Sequence, residues 1–509
     1  MEEIGKVWIA GAGPGDMQLL TLKTRELMTH AQVVVYDALV SVEILSLIPE
    51  ETLKINVGKR SGHHPVPQEE INQILLQQAK KGKQVLRLKG GDPFIFGRGG
   101  EELELLLQEQ IPFEIVPGVP SVSAVPAYAG IPITHRDYTS SFHVITGHPK
   151  KDGSLHLDYE SLVKFNGTLI FLMGISSMDC ICKGLMEAGM DGDMPAAVLE
   201  KGTTARQRKV ISSVSQLVCD SKKAQIQTPA MIVVGKVCSL SKQFAWAEDR
   251  PLGGRQILLT RPKERSAELA NKLRKLGAQV IELPSIATKL TVSGETLQNA
   301  LERISSKQEE WLVFTSPTGV ELFFEQLEIM QYDIRRIFRK QPEMKIAVIG
   351  SATKKALKSR GLWADLMPKI YCGSELGALL AKTAKPKSKI TILRAETGSP
   401  LLVEKLEEKN LQVFDIALYQ TICHADETLK EKITELFCNQ EIDGATFTSA
   451  STVRGFAATF EQLDYTMVKA ICIGEQTKAE ADRYGMQTVV SKEATMDSMI
   501  ECMRTLWQR

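Results

Sequence analysis

The stretch Val85-Leu-Arg-Leu-Lys-Gly-Gly-Asp-Pro-Phe-Ile-Phe-Gly-Arg-Gly-Gly100 decides the reading of the first half of this chain. Val85–Leu88 reads as a short strand, and behind it come five glycines in the eleven residues from Gly90 to Gly100. Glycine lets main chain pass close to a flat ligand, and Asp92 offers a carboxylate to hydroxyls or a cation. A simple connection rarely holds two aromatics such as Phe94 and Phe96 among so many glycines. A strand that ends in a ligand-facing glycine loop is the habit of open α/β sheets.

Outward from this loop the same alternation continues. Val7–Ala10, Val33–Tyr36 and Phe113–Val116 read as further strands, and Leu19–His30 and Gln68–Lys81 carry helix-spaced apolar residues. A second set, Phe142–Thr146, Thr168–Leu172, Ala196–Leu199 and Met231–Val234, follows Pro132. Two subdomains are therefore expected, about 1–135 and 136–245, with largely parallel sheets. Gly11-Ala-Gly-Pro-Gly-Asp16 lies between a strand and a helix and predicts a tight backbone turn near a ligand. It is a poor dinucleotide fingerprint, because position 16 is Asp and Pro14 stiffens the turn. A tight turn without a ligand is the plainer alternative.

Phe244-Ala-Trp-Ala-Glu-Asp-Arg-Pro-Leu-Gly-Gly254 breaks the pattern, and the strand Gln256–Thr260 starts afresh, so 246–254 is read as a linker. Beyond it the chain repeats itself. Ile257–Arg261 is echoed by Ile390–Arg394 and Val313–Ser316 by Thr446–Ser449, each 133 residues on, and Ala347–Gly350 by Ile471–Gly474, 124 residues on. Two α/β lobes are expected, one from 255–287 with 420–509 and the other from 288–419, facing a shared cleft. That pattern alone fits a binding protein as well as an enzyme.

With 509 residues the chain exceeds a single core. Its 62 Lys and Arg against 61 Asp and Glu give no global field for nucleic acid or an anionic membrane, so an anionic ligand must be met by local cations. No apolar run approaches the roughly 20 residues of a membrane span, no signal-peptide pattern opens the chain, and a cytoplasmic protein is expected. Nine scattered cysteines include no CxxC and the eight histidines no HExxH, so no metal is expected.

GAGPGD (11–16), YDALVS (36–41), VGKR (57–60), RLKGGDPFIFGRGGEE (87–102), VPGV (116–119), AYAGIPITHRD (127–137) and TGH (146–148) resemble, in this order, the uroporphyrinogen-III C-methyltransferase branch of the tetrapyrrole methylases. The resemblance covers about residues 4–240. It implies a homodimer formed through this half, with S-adenosylmethionine bound between two α/β subdomains. Two methyl groups pass to C2 and C7 of uroporphyrinogen III, giving precorrin-2. Carried over by motif, the cofactor contacts are Pro14, Gly90, Gly91, Asp92, Ile95, Pro120, Ser121, Met173, Gly202 and Ala230. The implied chemical residues are Asp37 and Lys59, with Lys59, Arg60 and Arg136 as partners for substrate carboxylates. Read without the family, Asp37 is equally a helix N-cap and Lys59 a solvated charge. The chain departs from the family pattern at Ala38, commonly Arg, and at Pro120, which lacks the usual hydroxyl and N–H.

In the second half LLTRP (258–262), FTSPTGV (314–320), VIGSATKKAL (348–357), DIALYQT (415–421), FTSASTV (447–453) and IGEQTKAEA (473–481) resemble, by order more than by any one motif, the uroporphyrinogen-III synthases. That resemblance covers about residues 255–505 and implies cyclisation of hydroxymethylbilane with inversion of its last ring, without metal or cofactor. Tyr419 is the candidate to help the hydroxyl group depart, since a phenol is protonated near neutral pH. Thr315, Ser316, Ser351, Thr353, Thr448, Ser449 and Thr477 sit at strand ends or following turns, as do the repeat-related Arg261 and Arg394. They can bind carboxylates with helix N-terminal N–H groups or serve as plain N-caps. Two other readings stay open: a second half that only binds ligand, and a nucleotide-dependent dehydrogenase fused to a two-lobed binding module.

Overall fold

The computed structural model describes residues 4–58, 66–148, 155–292, 294–304, 309–424 and 427–508. Its strands are β1 (Val7–Gly11), β2 (Val33–Tyr36), β3 (Leu53–Asn56), β4 (Val85–Lys89), β5 (Phe113–Val116), β6 (Phe142–Thr146), β7 (Thr168–Leu172), β8 (Pro195–Glu200), β9 (Arg208–Ser213), β10 (Ala230–Val234), β11 (Gln256–Leu259), β12 (Gln279–Glu282), β13 (Ile286–Leu290), β14 (Glu309–Phe314), β15 (Lys345–Val348), β16 (Lys389–Ala395), β17 (Gln412–Cys423), β18 (Gly444–Phe447), β19 (Lys469–Cys472) and β20 (Gln487–Val490). Residues 1–285 and 425–509 form one unit, and residues 286–424 a second.

In the first unit β3-β2-β4-β1-β5 make a parallel sheet. Every residue of β2 and β4 is buried, as befits central strands covered on both faces. β4 nevertheless contains Arg87 and Lys89, two cations that such a position tolerates only when paired. The helix expected from Leu19 begins at Leu22 instead. Thr21 caps it by accepting from the Thr24 N–H, and Met17–Leu19 forms a separate 3-10 turn capped by Asp16.

The next sheet, β6-β7-β10-β8-β9, is mixed: only β6 and β7 run parallel, and the other three pairings are antiparallel. This corrects the expectation of a largely parallel arrangement there. The edge strand β9, Arg-Lys-Val-Ile-Ser-Ser, lacks an apolar run because only part of it is covered, and so its sequence does not announce it.

The third sheet of this unit, β12-β11-β18-β19-β20, is parallel. A single buried apolar cluster joins it to the first sheet, running from Val34, Ile44 and Ile48 to Ile281, Leu429 and Phe437. The segment read as a linker is packed: Leu252 is fully buried, and the Trp246 indole N–H donates to the Ala127 carbonyl at 2.9 Å.

The second unit holds β13-β17-β16-β14-β15, parallel except for β13 against β17. The internal repeat appears as matched strand orders. Its three segments fall on β11, β18 and β19, adjacent in that order in one sheet, and on β16, β14 and β15, adjacent in that order in the other.

No helix among the described residues is long and apolar enough to cross a membrane.

Candidate active site

In the first unit three glycine-bearing turns meet backbone to backbone. Gly13 and Gly91 exchange N–H···O bonds of 3.1 and 2.7 Å, and the Ala12 N–H donates to the Lys89 carbonyl at 2.7 Å. A Cβ on Gly11 would lie 2.5 Å from Gly118 Cα and from the Gly91 oxygen, so these positions are glycine by steric necessity. At Gly91 itself φ is +69°, and a Cβ would meet only the Ser121 nitrogen, at 3.9 Å, in otherwise open space. That space is a cleft of about 1710 Å³.

Asp92 ties the turns together. One carboxylate oxygen accepts from the Phe94 N–H at 2.8 Å and the other from the Gly118 N–H at 3.0 Å. Beyond it Ile95 and Phe96 stand exposed, apolar side chains on the cleft wall. Pro120 occupies the N-cap position of the helix Ser121–Tyr128 without a side-chain cap bond, and Pro120 and Ser121 both line the cleft. Met173, at φ +56°, follows β7, and Gly202 lies between Lys201 and Thr203, both at positive φ. Ala230 opens β10. The structure thus brings Pro14, Gly90, Gly91, Asp92, Ile95, Pro120, Ser121, Met173, Gly202 and Ala230 onto one cleft, with Asp37 on its wall. The glycine cradle and the adjacent helix N-terminus fit a ligand with a planar and a charged part.

Asp37 follows β2. Its oxygens accept from the Leu39 N–H at 3.0 Å and the Gly90 N–H at 3.2 Å, so the N-cap-like turn and the cleft-facing position coexist. Beneath it lies a charge cluster that sequence reasoning missed. Glu102, with no exposed surface, accepts from Arg87 Nε at 3.1 Å and Lys89 Nζ at 2.7 Å, and Arg87 Nη2 stands 4.0 Å from the Asp37 carboxylate. Burial, then the neighbouring Arg87 charge, push the Lys89 ammonium below its ordinary value. Two cations spaced by one residue in an apolar strand were the available signal.

Lys59 and Arg60 lie outside the described residues. Arg136 is exposed in the turn closed by His135 and Thr139 and does not line the cleft. Sequence reasoning offered it as a carboxylate partner because the substrate is polyanionic; in the structure it is exposed and is not among the residues lining the cleft. Among cleft-lining cations are Lys54, Lys89, Arg98, Arg206 and Lys432. Lys432 belongs to the helix Glu427–Cys438, far along the chain from the methylase motifs, and its ammonium is 4.8 Å from the centre of the Tyr36 ring.

The synthase candidates divide between the units. In the second, Tyr419 Oη and Ser316 Oγ are 2.8 Å apart, and Ser316 also accepts from the Gly319 N–H at 2.9 Å as the cap of the helix Pro317–Ile329. Tyr419 is only 6% exposed. Thr315 is half-buried beside this pair, and Ser351 is exposed at the start of its helix, whereas Thr353 is buried. Arg394 is engaged by both oxygens of Asp415, at 2.7 and 2.5 Å. In the first unit Ser449 caps the helix Ala450–Thr459 through a reciprocal box with Thr452, Thr448 beside it is half-buried, and Thr477 is buried. Arg261 packs its guanidinium at 3.4 Å from the Met496 sulfur. Hence Thr353, Thr477 and Arg394 serve packing and pairing, which weakens their reading as ligand contacts.

The tetrapyrrole (corrin/porphyrin) methylase family matches residues 6–218, and uroporphyrinogen-III synthase HemD matches residues 267–501. The porphyrin biosynthesis protein HemD of Ruminiclostridium josui is 44% identical over 98% of this chain and 97% of its own length. The siroheme synthase of Escherichia fergusonii is 49% identical over 48% of this chain, which spans 53% of that protein. A crystal structure of uroporphyrin-III C-methyltransferase from Thermus thermophilus, complexed with S-adenosylhomocysteine, is similar over 46% of this chain and 99% of that one, with 38% identity and a TM-score of 0.40. With that full-length relationship and two family matches in tandem, the chain belongs to the HemD-type porphyrin biosynthesis proteins that join a tetrapyrrole methylase to a uroporphyrinogen-III synthase.

Proposed function

We propose that the chain cyclises hydroxymethylbilane to uroporphyrinogen III in its second half (255–509) and methylates it at C2 and C7 in its first (1–245), releasing precorrin-2. The observation that carries this reading is the convergence of all ten motif-derived contacts and Asp37 on one cleft in a chain whose two halves match the two families. S-adenosylmethionine, the methyl donor in this reading, supplies a methyl group already activated by the sulfonium charge.

The protein's own residues then have mainly to align a pyrrole carbon and manage charge. Gly91 and the Ser121 helix terminus accept the donor closely, and Asp92 keeps the three turns in register. Asp37 stabilises the positive charge that the methylated ring carries and accepts the proton whose departure removes it. Arg87, itself held by Glu102, sets its charge 4.0 Å behind the Asp37 carboxylate.

In the second half the hydroxymethyl group must lose its hydroxyl so that the resulting electrophilic carbon is attacked internally, through a spiro intermediate. The Tyr419 hydroxyl donates to the departing oxygen, and Ser316 Oγ, held by the Gly319 N–H, orients it. The chain acts in the cytoplasm as a homodimer through its methylase half, which light scattering on purified protein checks.

One incubation tests the two activities together. Purified chain, hydroxymethylbilane and S-adenosylmethionine yield dimethylated product with no added synthase. Uroporphyrinogen I as sole product removes the synthase assignment, and unmethylated uroporphyrinogen III removes the methylase assignment.

A further inference from the structure

The loop Lys201–Gln207, which carries Gly202 on the cleft wall, is held from two sides. Its own half supplies the Lys201 N–H bond to the Pro229 carbonyl at 2.9 Å, and Thr203 Oγ1, which accepts from the Asp16 N–H at 3.2 Å. Lys201 and Thr203 have φ values of +44° and +65°. For a β-branched residue such as Thr203 this is unusual backbone that persists only where the surroundings over-determine it.

The second side comes from the synthase segment of the same unit. Lys201 Nζ meets Glu441 Oε1 at 2.6 Å. The Ala205 N–H donates to Gln279 Oε1 at 2.9 Å. Arg206 Nη2 donates to Asp443 Oδ2 at 2.7 Å and to the Glu441 carbonyl at 2.6 Å. Asp443 is itself fixed: Oδ1 accepts from Arg255 at 3.1 Å and Oδ2 from the Gln256 N–H at 2.8 Å, at the mouth of β11. Its side chain is 12% exposed, so the ion pair with Arg206 is well shielded from solvent screening.

We infer that Asp443 is a positioning residue of the methyl-transfer site, holding through Arg206 the loop that bears Gly202, so that the synthase lobe is a working part of the methyltransferase. This rests on the reading that Gly202 contacts the methyl donor. A cofactor loop kept in unusual backbone geometry by a neighbouring domain loses affinity when the neighbour lets go, even though no group touching the ligand has changed. Arg206 also lines the cleft, and its Nε is buried without a protein partner. A direct contact from Arg206 to ligand is therefore the rival to be separated.

Calorimetric titration of S-adenosylhomocysteine into the full chain makes the test, using wild type, Asp443→Asn, Arg206→Ala and the double variant. Each single change is expected to weaken binding about tenfold, and the double variant no more than the weaker single, because the two residues act as a unit. The KM for S-adenosylmethionine rises accordingly, while kcat and the KM for uroporphyrinogen III hold. A merely destabilised protein would instead lose titratable sites at unchanged affinity. Should Asp443→Asn fold poorly, Glu441→Gln, which loosens Lys201 from the more open side, is expected to weaken binding about threefold. Wild-type affinity in Asp443→Asn, or losses that multiply in the double variant, overturns the inference and leaves Arg206 a direct contact. Absence of binding in wild type overturns instead the cofactor reading beneath it.

Discussion

The methylase cleft and the Tyr419 site of the second unit are built from different material. The first is made of main chain: Gly11 and Gly118 pack so close to each other and to the Gly91 oxygen that side chains cannot be inserted, and Asp92 bonds to backbone N–H groups on both sides. The second is made of side chains: Tyr419 and Ser316 share a hydrogen bond, and Gly319 beside them would place a Cβ at 3.3 Å from the nearest atoms. A site of the first kind imposes residue identities at fixed spacing, and one of the second kind imposes only a hydroxyl at a helix start.

The largest effect is expected from adding one methyl group to each site. In Gly118→Ala the new Cβ would sit 2.2 Å from the Gly91 oxygen and 2.7 Å from Gly11 Cα, both backbone atoms that cannot turn aside. Methyl transfer and S-adenosylhomocysteine binding are expected to vanish while cyclisation continues. Gly319→Ala, by contrast, would set its Cβ 3.3 Å from the Leu393 oxygen and Ser316 Oγ, neighbours that need give by only a few tenths of an ångström, and it is expected to slow cyclisation by no more than about threefold. Parallel product analysis of both variants checks this, and methyl transfer that survives Gly118→Ala removes the backbone cradle from the site.

Next in size is Asp37→Ala. The carboxylate bonds to the Leu39 and Gly90 N–H groups but lies beside the cradle. Methyl transfer is therefore expected to fall by about 10²–10⁴, the scale of a lost acid–base group, with S-adenosylhomocysteine affinity unchanged. Single-turnover rates against calorimetric affinity measure the split. Near-normal turnover takes Asp37 out of the mechanism.

Smaller again is Tyr419→Phe. Loss of one donor from a side-chain pair is expected to slow enzymatic cyclisation about tenfold, on the scale of one hydrogen bond, and to let the unrearranged isomer accumulate by spontaneous closure. Ser316→Ala serves as its partner. It removes the Gly319 cap, worth about 1 kcal/mol of stability, as well as the contact to Tyr419. Isomer ratios equal to wild type in Tyr419→Phe would falsify the role given to this phenol.

This difference in material explains what the sequence disclosed. Strands such as Val33–Tyr36 were legible because burial on both faces leaves an unbroken apolar run, and the cofactor cleft because glycines at forced positions leave a fixed pattern. β9 was not, being a polar edge. The Arg87–Glu102–Lys89 cluster was not either, since Glu102 reads as one more helix-surface acid until the fold turns it inward. Arg136 shows the converse: its motif is intact, yet its side chain stands outside the cleft. Least legible of all was the apposition of the methylase half to the synthase lobe. It rests on pairs more than 200 residues apart, such as Glu43 with Arg274 and Lys201 with Glu441, and no local pattern encodes a partner at that distance.

The Glu43–Arg274 pair yields the smallest expected effect, and its sign can be worked out. Glu43 is buried in the short helix Val42–Leu45 against Arg274, whose guanidinium is also claimed by Glu282 at 3.1 Å, and the Asp16 carboxylate adds repulsion. Desolvation outweighs the shared cation and lifts the Glu43 carboxyl from its ordinary 4.5 to about 7. Between these values the folded chain keeps a proton that the unfolded chain has released. Its contribution to stability is thus complete below about pH 4.5 and lost as pH rises through 7. Glu43→Gln, which imitates the protonated form, is expected to melt about a few degrees above wild type at pH 8 and level with it at pH 5, the shift per kcal/mol being small in a large unit. Melting curves of the two proteins across that range decide it. A constant offset at every pH would mean that Arg274 alone keeps Glu43 ionised, and that the two halves meet across a fixed ion pair instead of a titrating one.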